Sequence, residues 1–294
     1  MKYSTVGLSV VCLLGANLFA QENYIEVGGG YLSEKNNFST ESKSNISNYG
    51  KADNDTKGIV VGAFNYTYHY DNSMAFYIDS KKGDVRVGST LNNFDFGLVI
   101  KPFAAEEWSN PYLLNQDRSK TDVSEAGGYV GYTFKSDAYK LALEYQVTSV
   151  DYDNDELPSV LKRDATRHIV SAKNSYKNYL LGLEYEKYDA DGKASAYDKY
   201  MAEVGYQDKF FTNLSVFTAV GLGTKQYDAT NPILGEKIDA TILSATVALK
   251  LDNPLDLSKN TNVSLVLKAT QEDANNDFYD KQQIASIVSV GYKF

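Results

Sequence analysis

The sequence predicts an all-β chain folded as a transmembrane antiparallel up-and-down β-barrel of about fourteen strands, or about twelve if the two weakest segments are removed. Three observations carry that expectation. Apolar residues recur at every second position in segment after segment, the period of a strand with one apolar and one polar face. Beyond residue 20 no stretch approaches the ~18 uninterrupted apolar residues of a membrane-spanning helix. Short polar links alternate with long ones, as in a barrel with tight turns on one side of a membrane and loops on the other.

The chain opens with Lys2 and an apolar run from Val6 to Phe19 that ends at Ala20, followed by polar Gln21-Glu22-Asn23. This is the pattern of a secretory signal peptide, residues 1–20, and leaves 21–294 as a single barrel domain. Cys12 lies inside the run behind Val10-Val11 rather than the small residue of a lipoprotein site, so the exported chain has no thiol and no disulfide. Gly28-Gly29-Gly30 lies in the first strand, where it permits close packing or bending.

The combs then follow in order. Phe64, Tyr66, Tyr68 and Tyr70 oppose Asn65, Thr67 and His69; Phe94, Phe96, Leu98 and Ile100 oppose Asp95, Gly97 and Lys101. Tyr139, Leu141, Leu143, Tyr145 and Val147 oppose Lys140, Ala142, Glu144, Gln146 and Thr148. Leu181 and Leu183 oppose Gly182, Glu184 and Glu186, and Tyr200, Ala202, Val204 and Tyr206 oppose Met201, Glu203 and Gly205. Leu243 to Leu251 and Val263 to Ala269 repeat the pattern. Strands are expected to begin near Tyr24, Lys57, Met74, Thr90, Glu106, Thr121, Tyr139, Arg163, Asn178, Tyr197, Asn213, Lys237, Thr261 and Lys281. The weak segments are Met74–Asp79, which is short, and Glu106–Arg118, which contains Pro111. Long loops are expected at Ser33–Thr56, Tyr152–Lys162 and Tyr227–Glu236, with no loop assigned to fold inward.

A soluble sandwich also alternates, so the direction of each face decides. Tyr and Phe cluster at the ends of the apolar combs, where rings sit among lipid headgroups. The opposite faces mix charge with Gly, Ala, Ser and Thr, which suits a crowded, partly wet lumen. The formal charge of -9, from 29 Lys+Arg and 38 Asp+Glu, argues against nucleic acid as a partner, because phosphate binding takes a concentrated basic face.

At the C-terminus Val288, Val290, Tyr292 and Phe294 form one apolar register ending in Phe. This resembles the assembly signal of Gram-negative outer-membrane proteins. The resemblance implies a porin-like barrel of the outer membrane, exported through the periplasm and inserted by the barrel-insertion machinery. In addition, Asn110-Pro111-Tyr112-Leu113-Leu114 with Arg118 and Thr121-Asp122, and Leu161-Lys162-Arg163-Asp164, resemble a barrel family known as domain of unknown function 2860. It carries over no functional residue.

The function expected is passive diffusion of small hydrophilic solutes through the lumen. Glu144, Glu184, Glu186 and Glu203 are candidates for one pore wall and Lys250, Lys268 and Lys293 for another, giving a transverse field across the constriction. Arg118, Arg163 and Arg167, together with His168, are candidates for the extracellular rim, where solvated charges can meet lipopolysaccharide phosphate or a solute carboxylate. The alternative is a non-conducting barrel whose loops bind a surface ligand. Asp151 to Lys162 begins like a calcium loop but has Glu156 in place of the required Gly and Lys162 in place of the closing Glu, so no metal and no cofactor are expected. His69 and His168 lack the neighbours of a hydrolytic site, and an enzyme is not expected.

Overall fold

The computed structural model describes residues 23–294 apart from 82, 102–104, 138 and 257; the expected signal peptide lies outside the described residues. Its strands are β1 (Tyr24–Lys35), β2 (Asp55–His69), β3 (Met74–Lys81), β4 (Asp84–Leu91), β5 (Phe94–Ile100), β6 (Ala105–Trp108), β7 (Lys120–Lys135) and β8 (Tyr139–Tyr152). They continue as β9 (Ala165–Tyr176), β10 (Tyr179–Ala190), β11 (Tyr197–Phe211), β12 (Leu214–Asn231), β13 (Glu236–Asp252), β14 (Thr261–Ala274) and β15 (Lys281–Lys293). Except for β5 and β6, which do not pair with each other, each pairs antiparallel with its sequence neighbours, and β1 closes on β15 from Tyr24↔Lys293 to Lys35↔Gln282. Segments β5 and β6 both pair with β7, at Ile100↔Ala126 and Ala105↔Val123, with the register slipping by two residues between them. They are one stave, so the fifteen segments make a closed barrel of fourteen.

The expected number is therefore reached, but by a different division of the chain. The stretch near Thr90 is the end of β4 and a turn, not the start of a strand. Asn92 takes φ 55 there, which lets a two-residue hairpin separate β4 from β5. Glu106 lies inside the fifth stave, which stops at Trp108 before the Pro111 loop. The expected long loop at Tyr227–Glu236 is also corrected. Strand β12 runs on to Asn231 through a register shift after Gln226, leaving only 232–235 as a turn.

Orientation follows from the pleat. Ile25, Val27, Val60, Leu98, Leu183, Val220, Leu243 and Val290 point away from the axis, Leu98 at 66% and Val220 at 65% exposure. Glu26, Arg86, Glu125, Gln146, Lys225 and Lys250 point inward and are buried. Covering each large apolar side chain contributes about 1.5–3 kcal/mol, so a belt of this composition is stable only in lipid. Tyr68, Tyr132, Phe134, Tyr179 and Phe211 ring the end that carries the short turns, Tyr24 and Phe294, the periplasmic end by the usual barrel rule. There Phe294 stacks on Tyr66 at 6.5 Å. The barrel is of the Gram-negative outer-membrane type and sits in that membrane.

Gly28 and Gly30 face inward where β15 approaches closely. A Cβ would lie 2.4 Å from Val288 O at Gly28 and 1.9 Å from Ser286 O at Gly30. Backbone cannot yield that much, so the first strand needs glycine at both positions.

The wall is uneven in height. Strands β3 and β4 are eight residues each, against eighteen in β12. Strand β2 pairs with β3 only over Asn65–His69, and β4 pairs with β5 only up to Val85↔Ile100. Above the β3–β4 hairpin the first extracellular loop, L1 (36–54), spans the gap. Ser39 bridges Glu107, Trp108 N donates to Phe38 O at 3.2 Å, and Lys57 pairs with Glu41 at 2.6 Å.

Candidate functional site

All seven pore-lining candidates project into the lumen, but not as two opposed walls. Glu144 accepts from Arg86 Nη1 at 3.1 Å, and the Arg86 guanidinium lies 3.5 Å over the Tyr129 ring. The Tyr129 and Tyr77 hydroxyls are hydrogen-bonded, and Tyr77 donates to Asp95. The inward-facing Gly88 and Gly97 leave room for the Tyr129 ring, whose hydroxyl would be 2.1 Å from a Cβ at Gly88. Glu186, only 1% exposed, accepts from Arg167 Nε at 3.1 Å, Lys199 Nζ at 2.7 Å and the Tyr197 hydroxyl at 2.7 Å. Glu184 lies 3.7 Å from the same Lys199.

Lys250 is buried 3.5 Å from Asp252, Lys268 is half-buried, and Glu203 and Lys293 are exposed. The segregated field therefore gives way to local pairs. Arg86, Arg167 and Lys199 lie among the acids, and long side chains reach them without regard to sequence distance. Of the histidines, His168 faces outward, its Nδ1 2.8 Å from the Tyr145 hydroxyl, and His69 faces the lumen at the periplasmic end.

In the extracellular half the lumen opens into a chamber of ≈ 300 Å³. Its wall carries Lys101, Glu107, Val123, Glu125, Val150, Tyr152, Arg167, Tyr188, Tyr197, Lys225, Tyr227 and Lys281 from strands or their ends; Phe38, Tyr112, Leu157, Arg163, Ser195 and Tyr279 come from loops. Seven of these side chains are aromatic, five are cationic and two acidic. Glu125 sits at the centre of one network, taking hydrogen bonds from Lys101 and Arg167 and from Thr148 Oγ1 at 2.6 Å. Lys225 is 3.4 Å from Glu272 and 4.2 Å from the Tyr197 ring centre. Tyr188 and Tyr197 stack at 5.1 Å. Rings supply flat, partly polar walls while the ions hold fixed charge in a partly dry space.

The roof is built from L1, L3 (109–119), L4 (153–164), L5 (191–196) and L7 (275–280), contrary to the expectation of no inward-folding loop. Single 3₁₀ turns at Ser159–Leu161 and Asp277–Tyr279 turn Leu161 and Phe278 into its core, both fully buried. Asn276 caps the second turn, its side chain accepting from Phe278 N at 3.0 Å. Phe278 stacks on Tyr112 at 5.2 Å and meets Phe38 at 5.6 Å. The Tyr112 and Tyr279 hydroxyls are 2.6 Å apart, and buried Asn231 donates to both. Burial, then the neighbouring Tyr279, hold the Tyr112 phenol well above its ordinary range.

Arg118 and Arg163 lie at this end of the barrel but are not solvated rim charges. Arg118 donates to Asn37 O at 2.8 Å, Pro111 O at 3.1 Å, Ser42 Oγ at 3.1 Å and Lys43 O, and lies 4.6 Å over Trp108. Burial lowers its pKa to about 10. Arg163 meets Asp155 at 3.0 Å, Glu107 at 3.2 Å and the carbonyls of Trp108 and Ser109. The acidic stretch that resembles a calcium loop thus gives Asp155 to an arginine. Arg167, the third rim candidate, lies lower and lines the chamber.

A family model described as protein of unknown function (DUF2860) matches residues 22–293. The chain belongs to that family. No curated protein matches this DUF2860 barrel. Among solved structures, a FadL homologue of Pseudomonas aeruginosa is 11% identical with TM-score 0.51, over 96% of this chain and 92% of that one. OccAB4 of Acinetobacter baumannii is 11% identical with TM-score 0.43, over 95% and 100% of the two chains. OccD3 (OpdP) of Pseudomonas aeruginosa is 9% identical with TM-score 0.46, over 92% and 91%. The likeness to the FadL homologue is one of fold alone.

The site candidates named from the DUF2860 sequence omit Glu107, Glu125, Lys225 and Lys281, and omit Lys101 although it stands on the polar face of its comb. Alternation alone can find the strand positions: Lys101 continues the comb of β5, and Lys225 follows Gly221 and Gly223 on the inner face of β12. The ring residues of the roof carry no periodic signal.

Proposed function

We propose that the protein is a narrow outer-membrane channel through which small hydrophilic solutes diffuse passively, held briefly in the lumenal chamber. One observation carries this reading: a ≈ 300 Å³ space within the wall, lined by hydroxylated rings and paired charges. Such a volume is at the small end of the ~300–1,000 Å³ typical of ligand sites. Each ion pair can exchange its partner for a polar group of the solute, which favours entry without deep trapping. Export with removal of residues 1–20, lipopolysaccharide contact at the rim and delivery by the barrel-insertion machinery belong to the same proposal.

Purified, heat-modifiable protein in a planar bilayer tests it. Discrete conductance steps are expected, with ion preference altered by Glu184→Gln and Glu186→Gln. Folded protein that leaves membranes silent rejects the channel. The buried roof favours a second reading, a non-conducting barrel whose loops receive a surface ligand. Silent membranes together with ligand-dependent protection of L1 from protease support that reading.

A further inference from the structure

The inner face of the barrel is dry on one side and wet on the other. Phe217, Ala248, Val266, Ile287, Gly30 and Ile59 stand opposite one another in register across β12, β13, β14, β15, β1 and β2. The side chains of that row pack with Leu32, Val61, Ala219 and Ala285 into one cluster, Ala248 at 0% and Ile59 at 5% exposure. Strand β9 is the opposite case: after Ala165 it carries no buried residue. Its inward side chains Arg167, Ile169 and Ser171 are half-buried and Lys173 is exposed; beside them Glu184 on β10 and Met201 on β11 are half-buried and Glu203 is exposed. Arg167 and Tyr197 line the chamber above, and Lys140 and Lys209 stand exposed at the foot. The wet strip therefore runs from the chamber floor to the periplasmic mouth.

Gly182 lies in the middle of this strip, between Lys173 and Glu203 in register. Glycine inside a strand weakens it and marks a bulge, a close backbone approach or a place where a ligand comes near. Among the described residues, every other inward-facing strand glycine has a neighbour that a side chain would crowd: a Cβ would lie 2.7 Å from Asn262 Nδ2 at Gly291, 3.1 Å from the Phe217 ring at Gly205 and 3.2 Å from Leu143 O at Gly131. At Gly182 a Cβ would meet nothing nearer than Glu203 Cβ at 3.7 Å. Its φ is not positive, and the pairing on both sides runs through it without a bulge. What the missing side chain leaves is open lumen.

We propose that the route between the chamber and the periplasmic mouth is an off-axis groove along the inner faces of β9, β10 and β11, and that Gly182 is its size-determining position. Solutes small and polar enough to pass between Lys173 and Glu203 fit against the bare backbone there. The proposal rests on the reading of the barrel as a channel fed through the chamber, and it assigns the passage to one side of the lumen.

Cys12 is the only native cysteine, so a Cys12→Ser chain reports on one introduced thiol at a time. The folded barrel in detergent micelles is treated with a charged, water-soluble methanethiosulfonate. Ser171→Cys is expected to react about a hundredfold faster than Ala248→Cys or Val266→Cys, which react only on local opening; after unfolding all three react alike. Equal rates in the folded barrel overturn the groove. In planar bilayers a folded Gly182→Trp barrel is expected to show a severalfold drop in step size, and an unchanged step overturns the role of Gly182. If Gly182→Trp does not fold, reagent added to Ser171→Cys during recording decides: a drop in current is expected, and no drop overturns the route. A parent barrel that never conducts rejects the channel, and the labelling contrast alone then decides whether the groove opens the chamber to the periplasm. Conductance that Gly182→Trp leaves untouched keeps the channel and rejects this inference.

Discussion

Replacing Arg118 by alanine tests whether the roof is held by that guanidinium. Its donors reach Asn37 O, Ser42 Oγ and Lys43 O in L1 and Pro111 O in L3, so one side chain ties two loops. Hydrogen bonds to a charged group contribute about 1.5–3 kcal/mol each, offset by burying a cation that meets no carboxylate among the described residues. Truncation also strands the buried carbonyls of Asn37 and Pro111, and losses of about 2–5 kcal/mol follow removal of such a hydrogen-bonded buried charge. At the lower figure, the population in which L1 is released rises about thirtyfold. Limited proteolysis of L1 in proteoliposomes follows that population when cleavage is slow relative to reclosing. We expect Arg118→Ala to be cut within L1 about thirty times faster than the parent, while the heat-modifiable barrel band is unchanged because no ladder bond is lost. Arg118→Lys, which keeps the charge without the planar fork, falls between. Cleavage within about twofold of the parent in a folded Arg118→Ala barrel refutes the assignment.

Gly30→Val drives a side chain into Ser286 O, whereas Gly29, facing outward with its nearest atom at 3.4 Å, accepts alanine. Only the first variant is expected to lose the heat-modifiable band in refolding trials, and folding of both removes the close-approach argument. Glu186→Gln leaves Arg167 leaning on Glu125 and Lys199 on Glu184. An increase in anion preference is expected in reversal-potential measurements, and an unchanged preference contradicts the lumenal placement of that charge. Asp71, in the periplasmic turn, accepts from Ser73 Oγ and from the amides of Ser73 and Met74, which holds its carboxyl below the ordinary range. Because the folded pKa is lowered, the turn's contribution is present above about pH 4 and is lost as pH falls through the lowered value. Amide exchange at Ser73 and Met74 should accelerate at low pH relative to neighbouring turns, and Asp71→Asn should remove that pH dependence. Deleting Phe294, which stacks on Tyr66, is expected to slow assembly into vesicles, measured as the folded fraction against time.

What was legible in the sequence was whatever the pleat enforces. Combs such as Leu141-Leu143-Tyr145 face lipid because the period of two leaves no other option once one face is apolar. Strand β4 was not legible because the strand expected from Thr90 runs straight through Asn92-Asn93, where the backbone in fact turns. Charge pairing was not legible, since Arg86 reaches Glu144 across 58 residues. Arg118 and Arg163 read as solvated because they stand in polar loops; their burial follows from Phe38, Tyr112 and Phe278 meeting over the mouth, a contact between loops remote in sequence.

The low β3–β4 hairpin has a mechanical consequence. Around the foot of the cylinder the backbone ladder carries tension continuously, whereas at the head one arc is closed, among the described residues, by L1. Outward strain at the head therefore concentrates in the Ser39–Glu107 bridge and its neighbours. If that strap is cut, two unsatisfied sheet margins face each other across a slot, a geometry that invites a foreign strand to fill it.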